Sequence, residues 1–235
     1  MNIAENLRSV QTRIHRAATR ANRKPDQVAL MAVCKTFPPD AIAEAYAAGQ
    51  RLFGENKVQE FADKSGKLAG LEGAEFHMIG HLQSNKAAKA VELFHAVDSL
   101  DSAKLAARLN AAAEATGKVL PVLIEVNIGG EEAKSGVAPD SPELEEILRQ
   151  APEWPHLRIR GLMTVPPYTD DPEDARPYFR KLRELRDTLA ARHLPSVSLE
   201  ELSMGMSHDF EVAIEEGSTC VRIGTAIFGE RTKAK

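Results

Sequence analysis

The sequence predicts an α/β fold: a single closed (β/α)8 barrel of the TIM type with an extra N-terminal helix. Two observations predict it. Short apolar segments alternate with segments of helical periodicity along the chain, which is typical of parallel strands joined by right-handed helical crossovers. Eight such apolar segments fall within roughly 200 residues, near the lower end of the size range of this barrel.

The elements follow one another regularly from the first residue. Segment 1–21 places Ile3, Leu7 and Val10 at helical spacing, which predicts an amphipathic helix ahead of the first strand. No linker rich in proline, glycine and serine divides the chain, so we predict one domain over residues 1–235. The predicted strands are 28–35, 52–54, 76–79, 94–97, 122–128, 158–165, 199–203 and 220–228. The predicted helices between them are 39–48, 57–64, 84–91, 102–116, 141–150, 172–191 and 209–216.

The structural alternative is an open doubly wound sheet. Such a sheet usually carries a glycine-rich dinucleotide turn after its first strand, whereas residues 35–39 read Lys-Thr-Phe-Pro-Pro. In a barrel, chemistry gathers at the carboxyl ends of the strands. Polar residues concentrate there after the second, third and seventh predicted strands, in segments 54–57, 80–86 and 203–207. We therefore expect the functional site at this rim.

Composition excludes several classes of function. The chain has 235 residues, 43% of them hydrophobic and 27% charged, which is enough for one large core or two small ones. The net charge of -4, with both signs interspersed, provides no electrostatic footprint for nucleic acid or an anionic membrane. The longest apolar stretch, 119–126, is too short to span a bilayer, and the N-terminus has no apolar signal region. We expect a cytoplasmic location and, without a large exposed apolar stripe, a monomer.

The two cysteines form neither a disulfide framework nor a metal-ligand spacing. Cys34 adjoins the inward-facing Lys35 and is expected to point outward, whereas Cys220 shares the inward face of Arg222. A bond between neighbouring strands needs compatible faces, so we predict two free thiols.

Lys35 is the first candidate for chemistry. It closes the apolar run 28–34, and burial lowers the pKa of a lysine, so an amine at the mouth of a barrel is a candidate Schiff-base nucleophile. The alternative is a strand-end lysine whose amine extends to solvent.

A second candidate feature is a phosphate-binding surface after the seventh strand and at the end of the eighth. Ser207 offers a hydroxyl, Gly205 allows close backbone approach, and Gly224 and Thr225 offer amides and another hydroxyl. A pair of ordinary glycine turns is the alternative. Because the first and eighth strands are neighbours in a closed barrel, the amine of Lys35 would lie beside this surface.

Arg222 shares the face of Cys220 and Gly224 and should point into the barrel mouth. A guanidinium there needs a partner, and a structural ion pair with a carboxylate is one solution. The other is a ligand with a pyridine ring, a phosphate arm and an aldehyde, in which Arg222 faces the ring nitrogen and Lys35 takes the aldehyde. An arginine would leave that nitrogen unprotonated and weaken the ring as an electron sink.

Six segments carry a resemblance to a known family. They are VCKT (33–36), FGENKVQE (53–60), FHMIGHLQSNK (76–86), RGLMT (160–164), LSMGMSHDF (202–210) and VRIGTAIFG (221–229). They span nearly the whole chain, and their order and spacing make the match specific. The chain resembles the pyridoxal phosphate (PLP) homeostasis protein family, relatives of the barrel domain of alanine racemase, which implies a fold-type III PLP-binding barrel.

The resemblance implies PLP as the cofactor and Lys35 as the lysine of the internal aldimine, with Arg222 beside the pyridine nitrogen. It also implies a ring-pocket role for Asn56, although an asparagine after a strand can equally cap the following helix. The residues that would hold the phosphate are Ser207, Gly224 and Thr225.

Two further positions bear on the resemblance. Lys134 matches a lysine that some family members use as a secondary cofactor contact. Phe37 is a departure, because some relatives have a second lysine there, so a handover of cofactor that depends on that amine is in doubt.

The resemblance implies a carrier that holds PLP as a lysine aldimine and supplies PLP-dependent apo-enzymes, with no catalytic residue and at most weak racemase-like activity. The first alternative is an amino-acid racemase. Racemisation needs a base on each face of the substrate, and in alanine racemases the second comes from an additional domain and a partner subunit. This sequence ends at Lys235 soon after the eighth strand, and only Lys35 is an evident base, so we expect no efficient racemase.

Two other enzyme classes are disfavoured. Lysine Schiff-base phosphosugar aldolases usually carry their lysine on the sixth strand, and segment 159–165 has none. A metal hydrolase would build on His77 and His81, whose spacing crosses from a strand into a loop with no carboxylate constellation, so we predict no metal site.

Overall fold

The computed structural model describes residues 2–131 and 134–230. Within them, eight parallel strands close into a barrel in chain order, and the last strand pairs with the first. The predicted barrel class is confirmed. The strands are β1 (Ala29–Val33), β2 (Leu52–Glu55), β3 (Glu75–Met78), β4 (Ala96–Leu100), β5 (Leu120–Glu125), β6 (Leu157–Met163), β7 (Val197–Ser203) and β8 (Cys220–Ile223).

Helices follow the strands and surround the barrel. The predicted extra helix is present and begins at Asn2, whose side chain accepts a hydrogen bond of 3.0 Å from the Glu5 amide. None of the helices in the described residues is long and apolar enough to cross a membrane. The helices are α1 (Ile3–Arg20), α2 (Pro39–Ala47), α3 (Val58–Ser65), α4 (Ala87–Leu93), α5 (Ala103–Ala115), α6 (Pro142–Gln150), α7 (Arg176–Ala190), α8 (Phe210–Glu215) and α9 (Thr225–Phe228).

Several strand ends differ from the sequence-based expectation; for example, β4 and β5 were predicted as 94–97 and 122–128. Two of the differences bear on the site. The predicted strand 220–228 is wrong beyond Ile223, because the backbone turns at Gly224 and the carbonyl of Gly224 accepts 2.9 Å hydrogen bonds from the amides of Ile227 and Phe228. The predicted first strand likewise stops at Val33, two residues before Lys35. Both chain reversals lie at the rim where the site was expected.

The apolar core lies between the barrel and its helices. Four phenylalanines pack there in a row, with ring centroids 5.2, 4.7 and 4.9 Å apart. They are Phe53, Phe76, Phe61 and Phe94, all buried. Burial of each such side chain contributes about 1.5–3 kcal/mol, so this layer fixes α3 and α4 against β2 and β3.

The barrel interior is polar by comparison. The register pairs Val33 with Gly54 and Gly54 with His77, so His77 lies on the inner face. There Nδ1 of His77 is 3.2 Å from Oδ2 of Asp98, and Nε2 is 3.8 Å from Oε2 of Glu75. Burial lowers the pKa of His77, but the charges and hydrogen bonds of Asp98 and Glu75 outweigh burial and raise it to about 10. The imidazole is therefore held in its charged form at neutral pH.

The ion pair of His77 should make stability depend on pH in the alkaline range. A histidine whose pKa is raised from 6.5 to about 10 on folding stabilises fully below pH 6.5, and this stabilisation is lost as the pH rises through about 10. We expect the free energy of unfolding, measured in urea, to fall across this range in the wild type and much less in His77→Gln. His15→Gln, at an exposed position of α1, is the matched control and should follow the wild type. An equal decline in all three proteins would contradict this assignment.

Candidate ligand-binding site

A cavity of about 520 Å³ opens at the carboxyl ends of the strands. All six residues predicted to bind the cofactor line it, as does Lys134. The six are Lys35, Asn56, Ser207, Arg222, Gly224 and Thr225. Residues from the two ends of the sequence thus meet at one rim, as the barrel prediction requires.

Barrel closure places Lys35 beside β8. The register pairs Met31 with Arg222, and Val33, two residues further along β1, lines the cavity. Lys35 follows Val33 by two residues, beyond the end of β1, and also lines the cavity. A Cβ atom built on Gly224 would lie 3.4 Å from the Val33 carbonyl oxygen, which shows how closely the two strand ends approach.

Arg222 is 4% exposed, and among the described residues its side chain donates only to neutral acceptors. Its Nη1 lies 2.7 Å from Oγ of Ser203, and its Nη2 lies 2.6 Å from the carbonyl oxygen of Thr164. No carboxylate of the described residues forms an ion pair with it, so the alternative of a structural ion pair is not found. Burial lowers the pKa of Arg222, while nearby acidic groups, Glu125 among them, raise it in part. The cavity wall therefore carries a fixed cation that a hydrogen-bond acceptor of a ligand can meet.

The loop after β7 is built around one glycine. Gly205 has a φ of +97°, and a Cβ atom there would lie 2.6 Å from the Cβ of Ala213. Its carbonyl accepts a 2.9 Å hydrogen bond from the Arg222 amide, which ties the loop to β8. Oδ1 of Asp209 accepts from the Met206 amide at 2.6 Å. The loop conformation thus requires glycine at position 205, because any other residue would have a strained backbone there and its Cβ would clash with Ala213.

Ser207 and the start of α9 form the predicted anion-binding surface. Oγ of Ser207 accepts a 3.3 Å hydrogen bond from the Ala226 amide, so the hydroxyl lies against the first turn of α9. Gly224 is the N-cap of this turn and Thr225 its first residue. The backbone amides at the start of a helical turn point outward from its N-terminal end. Together with the hydroxyls of Ser207 and Thr225, these amides suit an anion.

Asn56 lines the cavity and does not cap α3. The N-cap of α3 is Lys57. Oδ1 of Asn56 is buried and accepts no hydrogen bond within the described part of the chain. Gly80 allows this packing, because a Cβ atom there would lie 2.4 Å from the Asn56 carbonyl oxygen. A buried acceptor without a donor costs free energy, which a donor from a bound ligand or water would offset.

Sequence reasoning missed several lining residues, of which Glu125 at the end of β5 is the most notable. Ser135 donates a 2.8 Å hydrogen bond to its Oε1. Burial raises the pKa of Glu125, and the Ser135 hydrogen bond lowers it in part. A carboxylate ending the apolar run 120–124 was the available signal. In the loop that follows, the side chain of Asn127 donates to the Glu131 carbonyl at 2.8 Å.

Two other missed residues, Tyr168 and His208, stand at the cavity mouth with ring centroids 5.4 Å apart. Tyr168 is 75% exposed. They come from the loops after β6 and β7. His208 lies within segment 202–210, one of the six that carry the resemblance, but no motif indicated Tyr168. Phe37, at the position where some relatives carry a second lysine, stacks on Phe228 with centroids 4.9 Å apart.

His77 and His81, the two histidines considered for a metal site, each contact a different aspartate. His77 contacts Asp98, and Nδ1 of His81 lies 3.0 Å from Oδ2 of Asp101. Across residues 2–131 and 134–230, no group of three or more His, Cys, Asp and Glu side chains is arranged to hold a metal ion.

Both cysteines are buried free thiols, as predicted. Cys34 belongs to the apolar layer outside the barrel, and Cys220 lies on the inner face with Arg222. Burial raises the pKa of Cys220 to about 12, so this thiol stays protonated at neutral pH.

Comparison with known proteins agrees with this geometry. The family model for the N-terminal domain of alanine racemase matches residues 3–232. The pyridoxal phosphate homeostasis protein of Aquifex aeolicus is 49% identical over 231 residues, which are 98% of this chain and 99% of the relative. PipY of Synechococcus elongatus, solved with PLP bound, is 38% identical with a TM-score of 0.83, covering 97% of this chain and 100% of PipY.

The fold extends to more distant proteins. Alanine racemase from Clostridium difficile, in complex with cycloserine, superposes with a TM-score of 0.73 over 100% of this chain and 60% of the racemase. At 15% identity this similarity establishes the shared barrel alone. With its rim geometry and its relatives matched end to end, the chain belongs to the pyridoxal phosphate homeostasis protein family.

Proposed function

We propose that this protein binds PLP in the rim cavity through Lys35 and holds the cofactor for release to other proteins. One observation supports the proposal most strongly. Lys35, a buried arginine without a carboxylate partner among the described residues, and a surface of hydroxyls and amides line the same cavity. When bound, PLP supplies an aldehyde that condenses with a primary amine to a Schiff base and releases water.

The residues present fit the three polar parts of PLP. Lys35 offers the amine, Ser207 and the start of α9 suit the phosphate, and Arg222 suits the pyridine nitrogen. The buried Oδ1 of Asn56 is a further acceptor on the cavity wall. A volume of about 520 Å³ is within the range of small-molecule sites, which is roughly 300–1,000 Å³. PipY, similar over its whole length, was solved with PLP bound, which supports the same ligand here.

The character of Arg222 favours holding the cofactor over catalysis. A guanidinium keeps its protons at neutral pH and leaves a facing pyridine nitrogen unprotonated, which weakens the ring as an electron sink. Deprotonation of an amino acid bound to such a ring is poorly stabilised. Arg222 itself is held in place by Ser203 and Thr164, so it cannot swing away to change this.

Three of the other titratable side chains of the cavity, His81, His208 and Lys134, already have partners. His81 contacts Asp101, and Nε2 of His208 lies 3.1 Å from the Asp170 carbonyl oxygen. Nζ of Lys134 donates to the Pro166 carbonyl at 3.1 Å and contacts Glu131. These contacts engage all three side chains, so none of the three is a ready second base for Lys35. This arrangement supports a carrier over an amino-acid racemase.

The remaining parts of the proposal concern the protein as a whole. We propose a monomer of one domain that works in the cytoplasm and supplies PLP-dependent apo-enzymes, with Lys134 as a secondary contact for the cofactor. The single closed barrel supports one domain, and the position of Lys134 on the cavity wall supports its role as a secondary contact.

Borohydride reduction tests the attachment residue. After incubation with PLP and reduction, peptide mapping should find a stable adduct on Lys35, and the adduct should be lost in Lys35→Met. Lys134→Met removes another amine of the same cavity and should keep the adduct. Absence of the adduct in the wild type, or its location on a different lysine, would contradict the proposal.

Incubation with alanine separates the carrier from a racemase. Because Arg222 weakens the ring as an electron sink, and His81, His208 and Lys134 are engaged by other groups, we expect L-alanine and D-alanine to keep their configuration when the PLP-loaded protein is present at substrate-level concentration. Chiral chromatography measures the conversion. Turnover at about 1 s⁻¹ or faster, ordinary for an enzyme, would favour the racemase instead.

A further inference from the structure

Behind Lys35, on the outer side of the barrel wall, lies a buried cluster of charged groups that the proposed function does not use. Nζ of Lys64, on α3, is 2.6 Å from Oε1 of Glu55, at the end of β2. The Lys64 side chain is 9% exposed and that of Glu55 is fully buried. A buried ion pair is weak evidence for stability in itself, because desolvation offsets much of the attraction. The other hydrogen bonds of Lys64 indicate the role of this ion pair.

Lys64 hydrogen-bonds the backbone on both sides of Lys35. Its Nζ donates at 3.3 Å to the carbonyl oxygen of Cys34, the residue before Lys35, and at 3.3 Å to that of Phe37, two residues after it. The Cys34 thiol in turn lies 3.1 Å from Oε1 of Glu55. One ammonium group thus joins a buried carboxylate to the two ends of the turn that carries Lys35.

Glu60, one helical turn before Lys64 on α3, holds the middle of that turn. Its Oε1 accepts a hydrogen bond of 2.5 Å from the Thr36 amide and lies 3.5 Å from Nζ of Lys64. Thr36 has a φ of +69°, in the left-handed region that a β-branched residue rarely adopts. Such a conformation is strained and persists only where the surroundings impose it. Glu60 and Lys64 are those surroundings.

We propose that Glu60 and Lys64 are positioning residues that fix the backbone of residues 34–37 and so present the Lys35 amine to the aldehyde of PLP. This inference rests on the proposed function. Neither residue lines the cavity, so they act through the backbone and not by touching the cofactor. Reaction of an amine with an aldehyde depends steeply on placement, so loosening this turn should weaken binding of an aldehyde ligand selectively.

The sharpest test compares two ligands and two substitutions at Glu60, whose side chain is 29% exposed and tolerates replacement better than a buried one. Pyridoxine 5′-phosphate carries a hydroxymethyl group in place of the aldehyde and cannot react with Lys35. We expect Glu60→Met, which removes the acceptor of the Thr36 amide, to raise the dissociation constant for PLP about tenfold, the equivalent of one lost charge-assisted hydrogen bond. The constant for pyridoxine 5′-phosphate should change less than about twofold.

The matched variant Glu60→Gln keeps an acceptor oxygen and should bind both ligands nearly as the wild type does. Glu72→Met, at an exposed position beyond α3, controls for the new methionine. Equal weakening of both ligands by Glu60→Met, no weakening of either, or equal loss in Glu60→Gln and Glu60→Met would each overturn the positioning role.

Lys64 needs a paired substitution. Lys64→Met alone would leave the buried Glu55 carboxylate without its partner, a loss of stability that can prevent folding. Glu55→Gln/Lys64→Met removes both charges and retains the packing volume. It should lose affinity for PLP and keep that for pyridoxine 5′-phosphate, whereas the exposed control Lys67→Met should keep both. Wild-type affinity for PLP in the double variant would contradict the role of Lys64.

Mapping the reduced adduct in the wild-type protein distinguishes failure of the proposed function from failure of the positioning role. If its reduced adduct does not map to Lys35, the proposed function fails and the positioning role fails with it. If the adduct maps to Lys35 but the Glu60 variants show no selective loss of PLP affinity, only the positioning role fails.

Discussion

Pairing of β1 with β8 is the contact on which the cavity depends. It brings the beginning of the chain against its end and sets Met31 opposite Arg222, so that Val33 lies beside Gly224 and Lys35 lies at the rim next to the loop after β7. A slip of one residue would turn Lys35 towards the helices and Cys34 inward. The amine, the guanidinium and the anion-binding surface are therefore one consequence of barrel closure rather than three separate features.

The polar interior gives this barrel a different character from one filled with aliphatic side chains. Arg222 is buried and satisfied by a hydroxyl and a carbonyl, which leaves its positive charge without a contacting carboxylate in the described residues. Deeper in the barrel, His77 and Asp98 neutralise each other. The charge of His77 is thus compensated by a carboxylate, whereas that of Arg222 is not compensated by a contacting carboxylate of the described residues. A ligand that carries an acceptor and a phosphate would supply the missing negative charge. A cation that does not give up its proton suits retention of a cofactor more than chemistry on it.

Periodicity was sufficient to predict the barrel, because alternating strands and helices leave few topologies, and closure then placed all six predicted residues on one cavity. Features that depend on local backbone angles were not predictable. The apolar residues after Ile223 look like more strand, but the turn at Gly224 makes them α9. The left-handed Thr36 depends on Glu60, 24 residues away, and no local pattern announces such a contact. Glu125 ends an apolar run, which is a local signal, but its contact with Ser135 in the following loop is not visible in that run.

Our central proposal is that one ligand contacts Lys35, Arg222 and the start of α9 at the same time. A crystal structure of the protein soaked with PLP tests this most directly. The account predicts continuous density from Nζ of Lys35 to the cofactor, the phosphate against Ser207, Gly224 and Thr225, and the pyridine nitrogen within hydrogen-bonding distance of Arg222. A phosphate bound elsewhere in the cavity, or a pyridine nitrogen turned away from Arg222, would contradict it.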